Sequence, residues 1–310
     1  MHVVHDLKQV LPLLGAAKGY ATIGVLDGVH LGHQQLVSRM ASAAHEAGGA
    51  SIAVAFDPHP AATLGLDSPL PLTTIEERAE LLAALALDIL VVTPFTQELA
   101  RTPAIDFAEL LIHRLNLAEL WGGPDIAIGY RREGNLPTLQ RLGTEMGFAV
   151  RVVEPLEWGR GIVSSSRIRA ALRVGDIDQA TGCLGRPFRL SGIVTHGDGR
   201  GRAIGVPTAN LSPPHKRLIP ADGIYACLAH TQQEGIRQAA VNIGTRPTFD
   251  GKSLTIEAHL LDFAGDLYGQ SLALDFMARL RDEAAFPDTE TLIVQMQKDI
   301  AQVRDILGDA

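Results

Sequence analysis

The sequence predicts an α/β domain with a mostly parallel sheet, followed by a small antiparallel β-barrel with a C-terminal helix. Up to about residue 184, short apolar segments alternate with segments of helical periodicity, which is typical of a parallel sheet covered by helices. After residue 185, short alternating segments are separated by polar and glycine-rich turns, which is typical of a barrel. We therefore predict two domains, residues 1–184 and 185–310, joined by a short link at 182–187.

The strands predicted in the first domain are its short apolar segments, and the helices are the longer periodic segments between them. The strands are residues 21–26, 51–56, 89–93, 126–128 and 150–153. The helices are residues 34–47, 74–87, 105–115 and 136–146, and one more runs from the serines at 164–166 to about residue 175. Because ligands of such sheets bind beyond the carboxyl ends of the strands, the segments after the first two strands are the candidate site.

The second domain is predicted to consist of strands apart from its last segment. The strands are residues 188–195, 223–230, 238–243, 254–262 and 271–280. Residues 289–307 are predicted to be a helix because their apolar side chains recur on one side. This order of elements favours a barrel that the last helix closes.

Composition sets limits on the class of protein. With 310 residues, 46% of them hydrophobic, the chain can form two cores. Its net charge of −8 predicts no attraction to nucleic acid or to an anionic membrane. The two cysteines, Cys183 and Cys227, lack the spacing of metal ligands. The N-terminus lacks the pattern of a signal peptide. No apolar segment approaches the roughly 20 residues that a membrane helix needs. We therefore expect a reduced, soluble, cytoplasmic protein.

Two histidines three residues apart are the strongest functional signal. His30 and His33 lie where the first predicted strand meets a helix, and at this spacing both imidazoles can point the same way. The helix start adds unpaired amides and partial positive charge, which suit phosphates, and Gly28 leaves room for a ligand. A histidine at a helix start can also be an ordinary hydrogen-bonded group. The segment nevertheless predicts a nucleotide phosphate site, with Gly24 and Asp27 as further candidates.

Two further segments are expected at or near this site. Ser164 and Ser165 open a helix, where a serine is first of all an N-cap, but they leave spare hydroxyls and amides beside the guanidinium group of Arg167. If the two helix starts face each other across one triphosphate, they form a nucleotidyltransferase site. Asp57 and His59 follow the second strand at the same edge of the sheet, although the prolines beside them could simply stiffen a turn.

The second domain offers a separate phosphate site. Gly197 and Arg202 lie in a glycine-rich loop, which by itself is usually only a loop. Thr208 and Asn210 lie two residues apart on one side of an extended chain, and their oxygens suit Mg²⁺ on phosphates. Glu257 lies in a predicted strand, where a carboxylate is either a solvated group or a general base. Neither a P-loop nor a dinucleotide-binding fingerprint occurs, so phosphates must be held in another way.

Seven segments occur in the order found in one known family. They are DGVHLGHQ at 27–34, FDPHP at 56–60, SS and RIR within 164–169, LGRP at 184–187, G and PTAN within 205–210, NIGTRPTF at 242–249 and DLYG at 266–269. Over nearly its whole length the chain resembles the bacterial bifunctional riboflavin kinase and FAD synthetase family. The resemblance implies a Rossmann-like nucleotidyltransferase fold for the first domain and a riboflavin kinase barrel for the second.

The resemblance implies that ATP is a substrate in both domains. The barrel would transfer the γ-phosphoryl group of ATP to riboflavin, giving FMN, with Thr208 and Asn210 at Mg²⁺ and Glu257 as the base. The first domain would join FMN to the α-phosphate of a second ATP, giving FAD and pyrophosphate. The residues implied there are, for the triphosphate, His30, His33, Ser165 and Arg167 and, for the flavin, Asp57, His59 and Asp125.

The chain departs from the family's pattern at a few positions. Val25 and Leu26 stand where the family usually has Asn and Phe, and Ser166 stands where it usually has Thr. Ile126 and Ile128 replace two aromatic residues of the flavin-side segment, and an isoleucine cannot stack on a flavin ring. Each lost aromatic pair is expected to weaken FMN binding by up to about tenfold.

Two other functions remain open from the sequence. The protein could be a riboflavin kinase whose first domain is only structural, or a flavin-dependent regulator that binds nucleic acid. The negative net charge and the lack of a basic helix disfavour a regulator that binds nucleic acid. The sequence does not define an oligomeric state.

Overall fold

The computed structural model describes residues 1–197, 201, 205–214, 216–231, 235–248 and 251–308, and only the backbone of 246–248 and 251–253. The chain divides into two compact units, Met1–Ser165 and Ser166–Ala310. The predicted boundary after residue 184 lies further along the chain than this division after Ser165. The two helices between residues 165 and 184 belong to the second unit in the structure, whereas the prediction placed them in the first domain. The link expected at 182–187 begins inside the second of these helices, which packs on strands of the second unit.

The first unit is built from alternating strands and helices. Its strands are β1 (His2–Val4), β2 (Gly19–Gly24), β3 (Ala50–Phe56), β4 (Ile89–Thr93), β5 (Leu117–Gly122), β6 (Ala127–Ile128), β7 (Gly134–Asn135) and β8 (Ala149–Val152). Its helices are α1 (Val10–Leu14), α2 (Leu31–Glu46), α3 (Pro60–Thr63), α4 (Ile75–Ala83), α5 (Gln97–Ala100), α6 (Ala104–Leu115) and α7 (Leu136–Met146). The predicted α/β class of this half is confirmed.

A parallel sheet with the order β1-β4-β3-β2-β5-β8 forms the centre of this unit. One core, which includes Leu111 and Leu120, lies on one side, and another, which includes Val37 and Met40, lies on the other. Because β3 and β5 flank β2, the segments that follow these three strands lie at one edge of the sheet. The histidine turn after β2 is therefore at the centre of the edge where ligands of parallel sheets bind.

The strand predicted at 126–128 does not belong to this sheet. Its residues form β6, which pairs with β7 in an antiparallel hairpin, and the sheet instead contains β5, which the sequence pattern missed. The pattern failed because β5 carries a charged residue, Glu119. This carboxylate accepts hydrogen bonds from Arg151 of β8, at 2.9 and 2.7 Å, and from Trp121, at 2.9 Å. The neighbouring strand thus compensates a charge that interrupts the apolar pattern.

The second unit is a closed antiparallel barrel with the strand order β10-β13-β12-β11-β14-β9. Its strands are β9 (Phe188–Thr195), β10 (Ala209–Ser212), β11 (Gly223–Thr231), β12 (Gly235–Thr248), β13 (Gly251–Leu260) and β14 (Ser271–Arg281). The helices around it are α8 (Ser165–Arg173), which begins at the last residue of the first unit, α9 (Ile177–Leu184) and α10 (Thr289–Leu307). The predicted barrel with a C-terminal helix is confirmed. β10 was not predicted because it is short and prolines flank it.

An ion pair holds α10 on the barrel. Arg281, at the end of β14, donates two hydrogen bonds to the carboxylate of Asp299 at 2.9 and 2.6 Å, and Gln295 donates another at 2.9 Å. Asp299 and Val303 of α10 are buried against the barrel. Among the described residues, no helix is long and apolar enough to cross a membrane.

Candidate active sites

A strained turn between β2 and α2 carries the two histidines. Leu26 and Val29 have positive φ angles of 53° and 39°, which are costly for such side chains, and Gly28 has a φ of 79°. His30 is the N-cap of α2, and its Nδ1 accepts a hydrogen bond from the backbone N–H of His33 at 3.3 Å. The two rings stack with their centroids 3.7 Å apart. The imidazoles lie together because His30 caps the helix, and not because both lie on one helix face as predicted.

The ring of His33 has a lowered pKa and an unused nitrogen. Shielding from water, with His30 and Arg78 nearby, holds the pKa of His33 well below its usual value of 6.5. Its Nδ1 is buried and has no hydrogen-bond partner among the described residues. A buried ring nitrogen of this kind beside a helix start is a group that a bound phosphate would satisfy.

We expect His33 to make the first unit less stable in mild acid. Its pKa is lowered by folding, so below 6.5 the unfolded chain binds more protons, and the free energy of unfolding rises with pH until it levels off above that value. His33→Gln should flatten this part of the profile. The measurement is urea denaturation at several pH values from about 5 to 8. Unfolding is monitored by the fluorescence of Trp121 and Trp158, which both lie in the first unit. Identical pH profiles for the two proteins would contradict a buried neutral histidine.

Asp27 holds the turn together from inside the unit. Its carboxylate accepts hydrogen bonds from the backbone N–H groups of Leu72, at 2.9 Å, and Thr73, at 3.1 Å, and lies 3.5 Å from Nη2 of Arg78. Arg78 also donates to the carbonyl oxygen of Val25 at 2.8 Å. Asp27 and Arg78 are both only 3% exposed. The carboxylate thus anchors a loop beneath the turn, while its direct contact with ATP stays a prediction.

Replacing Asp27 should cost the first unit much of its stability. Asp27→Ala leaves the guanidinium group of Arg78 buried without its carboxylate, and breaking a buried pair costs about 3–5 kcal/mol. We expect a loss of about 3 kcal/mol or more in the free energy of unfolding, measured by urea denaturation and tryptophan fluorescence. Asp106→Asn, at an exposed position of α6, is the control and should change it by less than about 0.5 kcal/mol. Unchanged stability with lost ATP binding would instead assign the Asp27 carboxylate to the ligand.

The serine segment contacts the histidine turn. The hydroxyl of Ser165 donates to the backbone carbonyl oxygen of Asp27 at 2.9 Å. A side chain on Gly32 would lie 3.2 Å from the ring of His30 and 4.0 Å from the carbonyl oxygen of Val163. Glycine at this position therefore avoids a close contact with the ring of His30.

The other residues predicted to bind phosphate lie close to these segments in the chain. Gly24 is the last residue of β2, and Ser164 directly precedes α8. Arg167 belongs to the second unit, where its Nη2 donates to Oε1 of Gln179 at 3.1 Å. Contact of these three residues with ATP stays a prediction.

The predicted flavin contacts follow the two strands that flank β2. Asp57 is exposed directly after β3, and His59 caps α3 by accepting a hydrogen bond from the backbone N–H of Ala61 at 3.1 Å. Asp125 is exposed in the turn after β5. The two loops therefore lie on either side of the histidine turn at one edge of the sheet. Their contact with a flavin stays a prediction.

One of the two isoleucines in the flavin-side segment cannot face a ligand. Ile128 is buried in the core of the first unit, whereas Ile126 is half-buried and packs against Gly122. A change in stacking on the flavin would therefore come from Ile126.

A row of side chains crosses the outer face of the barrel. Strand pairing places Asn210 of β10 opposite Glu257 of β13, Glu257 opposite Asn242 of β12, and Asn242 opposite Ile224 of β11. Residues paired in this way have Cβ atoms about 4.5–5.5 Å apart, so the four form a continuous line. Thr208 lies two residues before Asn210. The register thus brings the predicted magnesium ligands beside the predicted base.

A cavity of about 330 Å³ lies between this row and α10. Thr208, Glu257 and Asn242 line its polar side. Phe286 and Met296 line its apolar side. Such a cavity suits a ligand that has both a polar chain and a flat apolar part.

Two more cavities adjoin the magnesium candidates. Asn210 and Gly197 line one of about 440 Å³, in which the backbone of Gly197 lies close to the side chain of Asn210. Thr208 also lines a cavity of about 290 Å³, which Tyr268 lines as well. Arg202, the other candidate of the glycine-rich loop, lies outside the described residues.

Sequence analysis gave no role to His259, a further residue of this site. It lies two residues after Glu257 on β13, and it lines the same cavity. Its Nδ1 donates to the carbonyl oxygen of Pro207 at 2.8 Å, since a carbonyl can only accept. The ring thus fixes the backbone directly before Thr208. The available signal was its spacing, because residues two apart in a strand share a face.

Each half of the chain matches a family model. A model described as FAD synthetase matches residues 15–167, and one described as riboflavin kinase matches residues 184–307. The bifunctional riboflavin kinase/FMN adenylyltransferase of Pseudomonas fluorescens is 36% identical over 288 residues, which are 92% of this chain and 91% of that protein. This chain belongs to the bifunctional riboflavin kinase/FMN adenylyltransferase family. The family resemblance found in the sequence is confirmed.

Two further proteins are similar to this chain over nearly their full lengths. The bifunctional riboflavin kinase/FMN adenylyltransferase of Escherichia coli strain K12 is 34% identical over 307 residues, which are 98% of this chain and 96% of that protein. A crystal structure described as a macrolide-efflux protein from Streptococcus pneumoniae superposes with a TM-score of 0.89 at 28% identity, covering 98% of this chain and 99% of that one. The predicted fold class is thereby confirmed in an experimental structure.

Proposed function

We propose that this chain makes FAD from riboflavin in two ATP-dependent steps, phosphorylation to FMN and then adenylylation of FMN. The observation that carries the proposal is that each unit brings together its own set of residues predicted to bind phosphate. The first unit has the stacked histidines at the start of α2, and the second has the row of Asn210 and Glu257 with Thr208 beside it. The matches to a FAD synthetase model and a riboflavin kinase model support both steps and do not favour a kinase with a merely structural first unit.

In the kinase step, Glu257 would take the proton of the riboflavin 5′-hydroxyl as its oxygen attacks the γ-phosphorus of ATP. A new P–O bond forms, the bond from the γ-phosphorus to the bridging oxygen breaks, and ADP leaves with that electron pair. The cavity beside α10 supports this role, because Glu257 shares it with the apolar side chains of Phe286 and Met296, which suit a flavin ring. The adjoining cavity with Tyr268 suits the adenine of ATP.

Thr208 and Asn210 would hold a magnesium ion in this step. Their oxygens are the hard ligands that Mg²⁺ accepts together with substrate phosphates and water. The loop supports the assignment, because its Gly197 lies close to the side chain of Asn210. Mg²⁺, when bound, would neutralise charge on the phosphates. His259 would keep Thr208 in place through Pro207.

In the adenylylation step, a phosphate oxygen of FMN would attack the α-phosphorus of a second ATP. A P–O–P link forms, the bond between the α-phosphorus and the bridging oxygen breaks, and pyrophosphate leaves with that electron pair. His30, His33 and Ser165 would bind the triphosphate at the start of α2, where the helix dipole favours negative charge. We place the flavin beside the loops that carry Asp57 and Asp125, because these flank the histidine turn.

An aromatic ring at position 126 should improve the use of FMN. Ile126→Phe is expected to lower the KM for FMN by up to about tenfold, since an aromatic pair contributes about 0.5–1.5 kcal/mol. The measurement is the initial rate of FAD formation at varied FMN. Ile126→Leu is the matched control, because it changes the shape of the side chain without adding a ring. An equal KM in all three proteins would contradict a role for this position in stacking.

The product mixture formed from riboflavin, ATP and Mg²⁺ tests the proposed function. Chromatography should show FMN first and FAD accumulating from it. FMN without FAD would contradict the adenylylation step, and the absence of FMN would contradict the kinase step.

We also propose that the protein works in the cytoplasm without a nucleic-acid or membrane partner. The net charge of −8 and the two cysteines, both free and buried, support this setting. A gel-shift assay at low salt should show no binding of DNA or RNA, and a shifted band would contradict the proposal.

A further inference from the structure

We propose that Asn242 is a specificity residue of the kinase site, whose side-chain oxygen accepts a hydrogen bond from a ribityl hydroxyl of the flavin substrate. The proposal rests on the riboflavin kinase activity proposed above. Oδ1 of Asn242 is buried and has no hydrogen-bond partner within the part of the chain that the structure describes. Because such a group costs free energy, a buried acceptor that faces a ligand cavity indicates a donor on the ligand.

The strand register places Asn242 one strand beyond the base. Asn210, Glu257, Asn242 and Ile224 follow one another across four neighbouring strands, which are about 4.8 Å apart. With phosphates at Asn210 and the reacting hydroxyl at Glu257, Asn242 is the next polar group along the row. Ile224 then begins the apolar part of the same cavity.

Riboflavin presents its groups in the same order as this row. Its terminal hydroxyl is followed by the other hydroxyls of the ribityl chain and then by the flat ring. A carboxamide oxygen is satisfied only by a donor, and the ribityl hydroxyls are donors at the required place. The imide N–H of the flavin ring is also a donor, but it lies at the far end of the ring from the reacting hydroxyl. The geometry therefore assigns the Asn242 oxygen to the ribityl chain.

Two flavins that differ in this chain test the proposal on the full-length protein. Asn242→Leu keeps a side chain of similar size and removes the acceptor. The Kd for riboflavin, measured by the change in flavin fluorescence on binding, should rise about three- to tenfold. The Kd for lumiflavin, which keeps the ring and lacks the ribityl hydroxyls, should change by less than about twofold, because no hydrogen bond is lost. Asn242→Ala, which removes the acceptor without adding an apolar side chain of similar size, should show the same selective loss.

A control on the same strand separates the assignment from effects on folding. Gln238 lies on the same face of β12 as Asn242 and does not line the cavity, so Gln238→Leu should leave the Kd of both flavins unchanged. Equal losses for riboflavin and lumiflavin, or no loss for either, in the Asn242 variants would overturn the assignment. If the unsubstituted protein forms no FMN, the proposed kinase function itself fails. If it forms FMN while the Asn242 variants bind riboflavin normally, only this inference fails.

Discussion

In a variant with both His30→Ala and His33→Ala, the rate of FAD formation from FMN is expected to fall by about 10²–10³-fold or more, while FMN formation from riboflavin is unchanged. The change removes the two stacked rings at the start of α2. Loss of a single preorganised donor from a charge-stabilising site already costs about 10²–10³ in rate. The losses of two groups that act together do not simply add. Chromatography of each reaction, started from its own flavin substrate, gives both rates.

Single substitutions separate catalysis from stability in this experiment. His30 is also the N-cap of α2, so its loss removes about 1 kcal/mol of stability, whereas His33→Ala leaves the cap in place. His45→Ala is the matched control, because His45 lies near the other end of α2 and contacts Asp88 at 2.8 Å. It should leave both rates unchanged. Full FAD formation by His33→Ala would contradict the role of the histidines.

Glu257→Gln should produce the opposite pattern. The turnover number for FMN formation is expected to fall by about 10²–10⁴-fold, since a general base contributes a factor of this size. FAD formation from supplied FMN should continue at the normal rate, because Glu257 belongs to the barrel and the histidines to the other unit. The measurement is the initial rate of each reaction at saturating ATP.

The choice of glutamine makes the result specific to the proton transfer. It keeps the size of the side chain, so the KM for riboflavin should change much less than the turnover number. Glu290→Gln, in the exposed first turn of α10, is the control for a lost negative charge and should change neither value. A Glu257→Gln protein that forms FMN normally would show that another group accepts the proton.

The position of the histidine pair could be predicted from the sequence, but its geometry could not. A strand followed by a glycine-rich segment and a helix placed His30 and His33 at a sheet edge, and they lie there. The helix begins at Leu31, earlier than predicted, because an N-capping histidine and Gly32 in the first turn hide its start from a pattern of apolar residues. The cap and the stacking depend on backbone angles within the turn, which a residue pattern does not specify.

The kinase site shows a second limit of sequence analysis. Thr208, Asn210 and Glu257 were each predicted from residue type and spacing. Asn242 and His259 were given no role, although both line the same cavity as Glu257. The strand register brings these distant segments together, and the sequence pattern does not fix that register. The strands β5 and β10 were missed for a similar reason. β5 contains a charged residue and β10 is short, which a local pattern treats as unfavourable for a strand. Contacts with the neighbouring strands stabilise both.

Transfer of label from two forms of ATP tests most directly whether one chain carries two separate sites. In a reaction with riboflavin and Mg²⁺, label in the γ-phosphate should appear in FMN and then in FAD. Label in the α-phosphate should appear in FAD and never in FMN, with unlabelled pyrophosphate released. Alpha label that enters no flavin, while γ label enters FMN, would contradict the account, because the histidine turn would then hold no reacting nucleotide.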